Sequence, residues 1–463
     1  MNTSIREFAS WVNGVAPATD RVFSGISKDS RTLNPGNLYV ALVGESFDGH
    51  AFVQQAFLRG AAAALVNTTW QQPTPCGVPL IRVADTRVAL GDAAAAWRQR
   101  SRACIIGITG SSGKTTTKEM VAALLSAAGP VAATKGNLNN DIGLPLSVLD
   151  MPETAQFGVF EAGMNHAGEI HYLARILKPD IVVISSIGRA HIEFFGSTEA
   201  IAHEKAELLR ALSPTGAAIL CRETAHFDLL RSLCPGQVVV TSLHDSSADY
   251  FGTYHPEATT LTLIERETGT QQTLTMPLPG EHNASNLLLA YAAVRTAGLS
   301  AEQALAGLAH FELPGKRWEV HTLAGRTIIN DAYNANPDSM LVAIKTFLSQ
   351  PRQGRSLLVL GDMLELGVFS EPFHREIGRT VAALAPATLL VVGDAATRFL
   401  ADEALRAGYP AQQILCCEST EASAHILAAH THPGDAILLK ASRGMKLERI
   451  LTEWPQDERH SFG

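Results

Sequence analysis

Apolar positions along this chain follow two rhythms. Short continuous runs at 104–106, 157–160, 181–184 and 217–220 have the character of parallel strands covered on both faces. Between them, apolar residues recur every three or four positions, as Met120, Val121, Leu124 and Leu125 do, which marks amphipathic helices. The first 84 residues predict an opening helix with Ile5, Phe8 and Val12 on one face, strands at 37–42, 63–66 and 80–83, and a helix over 49–60. An alanine-rich helix over 87–100 then leads into the run at 104. From 250 to 278 threonines and leucines alternate around a polar turn at 267–270, which predicts an antiparallel hairpin. Helices follow at 284–297 and 301–310.

Leu313-Pro-Gly-Lys316 interrupts the pattern and marks a linker. Beyond it, strands at 327–330, 357–360, 389–392 and 436–440 alternate with helices, the rhythm of a doubly wound sheet. The reading is therefore α/β with three domains: a small N-terminal α/β unit (1–84), a central mostly parallel sheet of phosphate-loop type carrying an antiparallel hairpin (85–313), and a Rossmann-like C-terminal sheet (314–463). A length of 463 residues fits about three domains.

Composition narrows the classes. With 46% apolar and 18% charged residues, the chain reads as an ordinary water-soluble α/β protein. A net charge of −8 argues against a nucleic-acid binder, which shows a basic stripe. Cysteines 76, 104, 221, 234, 416 and 417 form no C-x-x-C pair, so buried reduced thiols are expected rather than disulfides or metal ligands. The N-terminus lacks a basic start before an apolar stretch, and no apolar run approaches the ~20 residues that span a bilayer. A cytoplasmic protein without membrane insertion is expected.

Chemistry concentrates first at Gly107-Ile-Thr-Gly-Ser-Ser-Gly-Lys-Thr-Thr-Thr117, between a strand run and a helix. A glycine loop there lets backbone N–H groups and the helix N-terminus surround phosphates. Gly110, Ser111, Ser112, Gly113 and Thr116 would form the cradle. Lys114 would reach the β- and γ-phosphates, and the Thr115 hydroxyl would hold Mg²⁺. The loop departs from the common phosphate-loop spacing, because Ile108 stands where the first glycine usually does.

Polar loops follow other strands. Lys135-Gly-Asn-Leu-Asn-Asn-Asp141 can contact a phosphate or sugar through Asn139 and Asn140. Glu161 ends a strand, where a Mg²⁺ carboxylate belongs. His191 follows Ser185-Ser-Ile-Gly-Arg-Ala190, in reach of a metal or phosphate. By charge pattern alone, Glu204-Lys205-Ala-Glu207 reads as a solvated helix face. In the last third, the segments 330–337, 361–367 and 441–444 each follow a strand and should meet at one carboxyl edge. Near the start, Ser27-Lys-Asp-Ser-Arg31 and 44–50 are candidate loops for a polar ligand.

In this order, Thr109-Gly-Ser-Ser-Gly-Lys-Thr115, Gly136-Asn-Leu-Asn-Asn-Asp141, Glu161, His191, His282-Asn-Ala-Ser-Asn286, Asp331-Ala-Tyr-Asn-Ala-Asn-Pro337 and Lys440-Ala-Ser-Arg443 resemble the motifs of the Mur ligase family, ATP-dependent amide-bond ligases of bacterial cell-wall synthesis. Within it, 136–141, 333–337 and Gly361-Asp-Met-Leu-Glu-Leu-Gly367 look most like the branch that adds D-alanyl-D-alanine to UDP-N-acetylmuramoyl-tripeptide through an acyl phosphate. The resemblance implies ATP on the loop at Lys114, one Mg²⁺ at Thr115 and Glu161, and a second at His191 and a carbamylated Lys205. It implies nucleotide contacts from Asn283, Asn286, Asp331, Tyr333 and Asn334. Ser27, Asp29, Ser30, Arg31, Asn139, Asn140, Asn336, Lys440 and Arg443 would face the substrates, and the family expectation is a monomer. The family's nucleotide arginine falls at Pro314-Gly-Lys-Arg-Trp318, leaving Lys316 and Arg317 as alternatives. The competing readings are a Mur-type or folylpolyglutamate-type ligase adding a single amino acid, a nucleotide-triphosphate switch, and a simple kinase.

Overall fold

The computed structural model describes residues 1–72 and 78–455; Cys76 lies outside them. Among the described residues the strands form sheets of two, four, nine and six. In the N-terminal unit, β1 (Asn2–Ser4) pairs antiparallel with β2 (Val22–Ser24), and α1 (Ile5–Trp11) starts directly after β1 under a Ser4 cap. Ile5, Phe8 and Val12 are buried together, as their spacing requires. Strands β3 (Ile26–Ser27), β4 (Leu38–Val40), β5 (Ala63–Asn67) and β6 (Leu80–Val83) form a parallel sheet in that order. The helix expected over 49–60 starts as a 3-10 turn at Gly49–Phe52 and becomes α2 (Val53–Leu58). The turn packs closely on the segment after β4: a Cβ on Gly49 would lie 2.6 Å from the Leu42 carbonyl oxygen.

Helix α3 (Thr86–Arg100) leads into β7 (Cys104–Thr109). The central unit continues through α4 (Lys114–Ser126), β8 (Val131–Ala133), α5 (Gly143–Leu149), β9 (Phe157–Glu161), α6 (Glu169–Leu177), β10 (Ile181–Ile184), α7 (Ile192–Phe195), α8 (Thr198–Arg210), β11 (Ala217–Cys221), α9 (Phe227–Leu233) and β12 (Gln237–Ser242). Its parallel part runs β12-β11-β10-β7-β9-β8, and the strand at Tyr250–His255 joins it parallel to β12. Ile106, Ile108, Val183 and Ile219 pack towards α4 and α10, while Ile105, Val182, Ile184 and Leu220 pack towards α6 and α8. Covering both faces explains why these strands read as unbroken apolar runs. The expected hairpin is a three-stranded meander of β13 (Tyr250–His255), β14 (Thr260–Glu265) and β15 (Gln271–Thr275). Helices α10 (Glu281–Thr296) and α11 (Ala301–Gly307) close the unit.

The C-terminal unit contains β16 (Glu319–Leu323), β17 (Arg326–Asn330), α12 (Pro337–Ser349), β18 (Ser356–Gly361), α13 (Ser370–Leu384), β19 (Thr388–Val392), β20 (Ile414–Cys417) and β21 (Ala436–Lys440). Its sheet order is β16-β17-β21-β18-β19-β20, with β16 alone antiparallel to its neighbour. Because β17, β21 and β18 are adjacent, the polar loops that follow them lie within about 10 Å of one another. One expectation needs correcting: Cys221 and Cys417 are buried, but Cys104 and Cys234 are only half-buried and Cys416, next to Cys417 in β20, is exposed. The period-2 side-chain alternation of a strand sends the two neighbours to opposite faces.

Candidate active site

The carboxyl end of β7 turns into α4 through residues 110–113. Two glycines make the turn possible. A Cβ at Gly110 would stand 2.0 Å from Ser185 Oγ, and one at Gly113, whose φ is +82°, would stand 2.6 Å from Asn286 Oδ1. The loop is tied to the segment after β10: Ser111 N donates to Ser186 O at 2.8 Å, Ser112 N to Ser186 Oγ at 2.9 Å, and Ser185 Oγ to Ser112 O at 2.6 Å. Ile108 is still inside β7 and fully buried. The position that carries a glycine in longer phosphate loops is here a core position.

Lys114 opens α4, and its Nζ donates across the turn to Gly110 O at 2.8 Å. Burial, reinforced by the Arg317 charge and opposed by Glu161, lowers its pKa. Next to it, Thr115 Oγ1 donates to Glu161 Oε2 at 2.8 Å, and Asn139 Nδ2 donates to Glu161 Oε1 at 2.7 Å. A hydroxyl and a carboxylate beside a phosphate cradle form the hard-oxygen set that suits Mg²⁺, with phosphate oxygens and water completing its shell. Asn140 accepts from Gly143 N at 2.8 Å, within the turn that leads into α5. On α10, Asn286 Nδ2 donates to Asn283 Oδ1 at 3.3 Å, and Asn283 Nδ2 donates to Pro279 O at 2.8 Å. Burial pushes His282, on the same first turn, down to about 4.

Lys205 overturns the solvated-face reading of its segment. It is 1% exposed. Glu204 instead caps α6, accepting from Gly168 N at 3.0 Å and Ile170 N at 2.9 Å, while Glu207 pairs with His171 at 2.9 Å. One residue on a helix is a rotation of ~100°, enough to send Lys205 inward while its neighbours face other helices. Burial first, then the Lys114 charge, drives its pKa well below the ordinary lysine value, against Glu204 and Glu161. A neutral amine is the form that can react with CO₂. Among the described residues, no three His, Cys, Asp or Glu side chains cluster as a ready-made metal site.

The C-terminal unit faces this site. Arg317 Nη2 donates to Thr115 Oγ1 at 3.1 Å, and its guanidinium lies 3.5 Å from the Tyr333 ring centroid. Lys316 turns outward and pairs with Glu448 at 2.6 Å. The geometry thereby separates two residues that the sequence left as alternatives. Asn336 caps α12 and also donates from Nδ2 to Ser112 Oγ at 3.2 Å. Lys440 is buried on Asp331 Oδ2 at 2.8 Å and donates to Asn334 O at 2.9 Å. Arg189, just after β10, donates from its backbone to Asp338 Oδ2 at 2.6 Å, pairs with Asp338 Oδ1 at 2.7 Å and Glu376 at 2.5 Å, and lies over Phe373.

A partly open cavity of about 560 Å³ lies between the two units. Residues 111–116, Asn139, Asn140, Glu161, His191, Asn283 and Asn286 line one side, and Arg317, Asp331, Tyr333, Asn334, Asn336 and Lys440 line the other. Arg443 lies outside this lining, beside Tyr333, 5.3 Å from its ring centroid. Ser27, Asp29, Ser30 and Arg31 sit apart in the N-terminal unit. There Asp29 pairs with Arg31 at 2.8 Å and Ser30 Oγ donates to Gln55. Sequence reasoning missed Arg189, Asp338 and Glu376, whose pairing joins positions far apart in the chain and leaves no local signal.

The chain matches three family descriptions: "Mur ligase family, catalytic domain" over residues 22–98, "Mur ligase middle domain" over 108–294 and "Mur ligase, glutamate ligase domain" over 316–443. It is 38% identical over 433 residues to the UDP-N-acetylmuramoyl-tripeptide–D-alanyl-D-alanine ligase of Bacillus subtilis, covering 93% of each chain. Its structure is similar to MurF from Acinetobacter baumannii, with a TM-score of 0.87, 31% identity and 98% of each chain covered. It is also similar to MurF from Thermotoga maritima in complex with ADP, with a TM-score of 0.78, 26% identity, and 94% and 97% of the two chains covered.

Proposed function

The chain belongs to the Mur ligase family, and from that premise we propose that it joins D-alanyl-D-alanine to UDP-N-acetylmuramoyl-tripeptide. ATP is cleaved to ADP and phosphate, and UDP-N-acetylmuramoyl-pentapeptide, a peptidoglycan precursor, is formed. The observation that carries this reading is the cavity, with the glycine loop and Glu161 on one wall and the C-terminal loops on the other. The division at 84/85 and 313/314 is part of the reading: residues 1–84 hold the UDP-sugar, 85–313 the triphosphate, and 314–463 close over both.

A carboxylate condenses with an amine only after its oxygen becomes a leaving group. The terminal carboxylate of the tripeptide attacks the γ-phosphorus, ADP leaves, and an acyl phosphate forms. The amine of D-alanyl-D-alanine then attacks the acyl carbon and phosphate departs. Lys114 and the 110–113 backbone hold the phosphate charge as it moves. Thr115 and Glu161 would hold Mg²⁺, which would supply the neutralising charge that lets two anions approach. Asn283 and Asn286 contact the nucleotide from α10, and Arg317 on the Tyr333 ring contacts it from the other wall. Asp331 acts through Lys440, which it orients. Asn336, at Ser112, brings the C-terminal unit onto the loop and keeps water from the acyl phosphate. Arg443, on the outer side of Tyr333, suits the carboxylate end of the dipeptide.

Lys205 adds a finer element. As an amine it offers a metal little. Carbamylated, R–NH₂ + CO₂ giving R–NH–COO⁻ and H⁺, it would offer an oxygen ligand for a second Mg²⁺, with His191 as the other protein ligand. Its burial and depressed pKa support this assignment. The test combines the protein with ATP, Mg²⁺, UDP-N-acetylmuramoyl-tripeptide and D-alanyl-D-alanine, following phosphate and product mass. Phosphate release should need both acceptors, and the nucleotide should gain one dipeptide less water. Release without the dipeptide, or no mass gain, sinks the proposal.

A further inference from the structure

Two residues in left-handed backbone geometry meet across the seam between the central and C-terminal units. His191 has φ +61° and Glu365 has φ +60°, and His191 Nδ1 lies 2.8 Å from Glu365 Oε2. Non-glycine residues are held in that region at an energetic cost, and such outliers gather where a side chain must be aimed. The loop carrying Glu365 is fixed residue by residue. Asp362 Oδ1 accepts from Ala396 N at 2.7 Å, Met363 N donates to His374 Nε2 at 3.1 Å, and Leu364 N donates to Ser442 Oγ at 2.8 Å. Two residues beyond Glu365, a Cβ on Gly367 would stand 2.9 Å from Glu193 Cγ, so the loop lies against the central unit. An ordinary surface ion pair needs none of this anchoring.

The anchored carboxylate lies against His191, which lines the cavity. The acyl carbon forms near Lys114 and His191, both of which line the cavity. The dipeptide enters as an ammonium ion at neutral pH, because an α-amino group titrates near ~8, and a cation entering a partly enclosed site needs an anion. The acids that line the cavity are committed: Asp331 to Lys440, Asp338 to Arg189, Glu161 to Thr115 and Asn139, Glu223 to Cys221 and Ser242, and Glu169 to Asn165 N and His166. The Glu365 side chain is 49% exposed, and among the described residues no hydrogen bond engages its Oε1. We propose that the Glu365 carboxylate receives the ammonium group of the incoming D-alanyl-D-alanine, an assignment that rests on the ligase reading above. Glu365 and Arg443 then form two poles for a zwitterion, on loops joined by the Leu364–Ser442 hydrogen bond.

The test compares two acceptors on the full chain with ATP, Mg²⁺ and UDP-N-acetylmuramoyl-tripeptide. One is D-alanyl-D-alanine. The other is hydroxylamine, which is uncharged at mildly alkaline pH and traps an acyl phosphate as a hydroxamate without an ammonium site. Variants are Glu365→Gln, which keeps the shape, and Glu365→Gly, which keeps the backbone geometry. In both, the KM for D-alanyl-D-alanine should rise about 10- to 100-fold, and the preference for dipeptide over hydroxylamine should fall by the same factor. A preference within about twofold of wild type in both variants, including a parallel loss of both reactions, overturns the assignment. Wild-type protein that makes no hydroxamate refutes the ligase reading itself, and the Glu365 assignment with it.

Discussion

Replacing Arg317 and Lys316 one at a time discriminates between two adjacent cations that the sequence cannot separate. Arg317 makes a 3.1 Å hydrogen bond to Thr115 Oγ1 and stacks on Tyr333 at 3.5 Å. A stacked cation contributes about 0.5–2 kcal/mol and a charge-assisted hydrogen bond about 1.5–3 kcal/mol. Because they share one group they do not simply add, and about 3 kcal/mol is a fair total, or about 100-fold. Lys316 makes a surface pair with Glu448, of a kind worth about 0–1 kcal/mol. Steady-state kinetics with ATP varied and both other substrates saturating should show the KM for ATP raised about 100-fold in Arg317→Ala and no more than about fivefold in Lys316→Ala. Arg317→Lys should fall between, since an ammonium keeps the charge and loses the planar stack. Thermal melts within a few degrees of wild type would place the effect in binding. A larger loss in Lys316→Ala than in Arg317→Ala refutes the reasoning.

Lys205→Ala should abolish turnover, with partial recovery on adding small carboxylates, and wild-type activity should drop in CO₂-depleted buffer; full activity of the variant would exclude a carbamate. Glu161→Gln should raise the Mg²⁺ concentration for half-maximal rate by at least about tenfold, read by Mg²⁺ titration, and an unchanged titration would remove Glu161 from the metal site. His282 is held neutral by burial, with a folded pKa of about 4 below the ordinary ~6.5. The unfolded chain therefore takes up the proton first as pH falls, and stability is lost between about pH 6.5 and 4 and levels off below. Urea unfolding should show wild type losing up to about 3 kcal/mol relative to His282→Gln over that interval, and parallel pH curves for the two proteins would contradict it.

Strands buried on both faces, such as β7, β10 and β21, were legible because every residue there has the same reason to be apolar. The meander at 250–275 was legible for the opposite reason, since one covered face produces alternation. Strand β8 has three residues, none fully buried, and β16 alternates only between half-buried and exposed positions, so neither leaves a pattern. Within the site, the glycine loop and Glu161 could be read from their places after strands. Lys205 could not, because Glu204 and Glu207 give its segment a solvated look while serving as partners of α6. Glu365 stood inside a loop already singled out, but its meeting with His191 depends on how two sheets are set against each other.

The grip of Asp338 and Glu376 on Arg189 bears on timing. On the proposed reaction, while it holds, Asn336 would stay on Ser112 and shield the activated intermediate from water. Each cycle would then end with the same grip released, so that the product can leave. A firmer clasp lowers wasteful hydrolysis and slows departure, whereas a looser one does the reverse. The carboxylates involved are partly open to solvent, so dissolved ions reach them. Ionic strength thus becomes a dial on how long the closed form lasts.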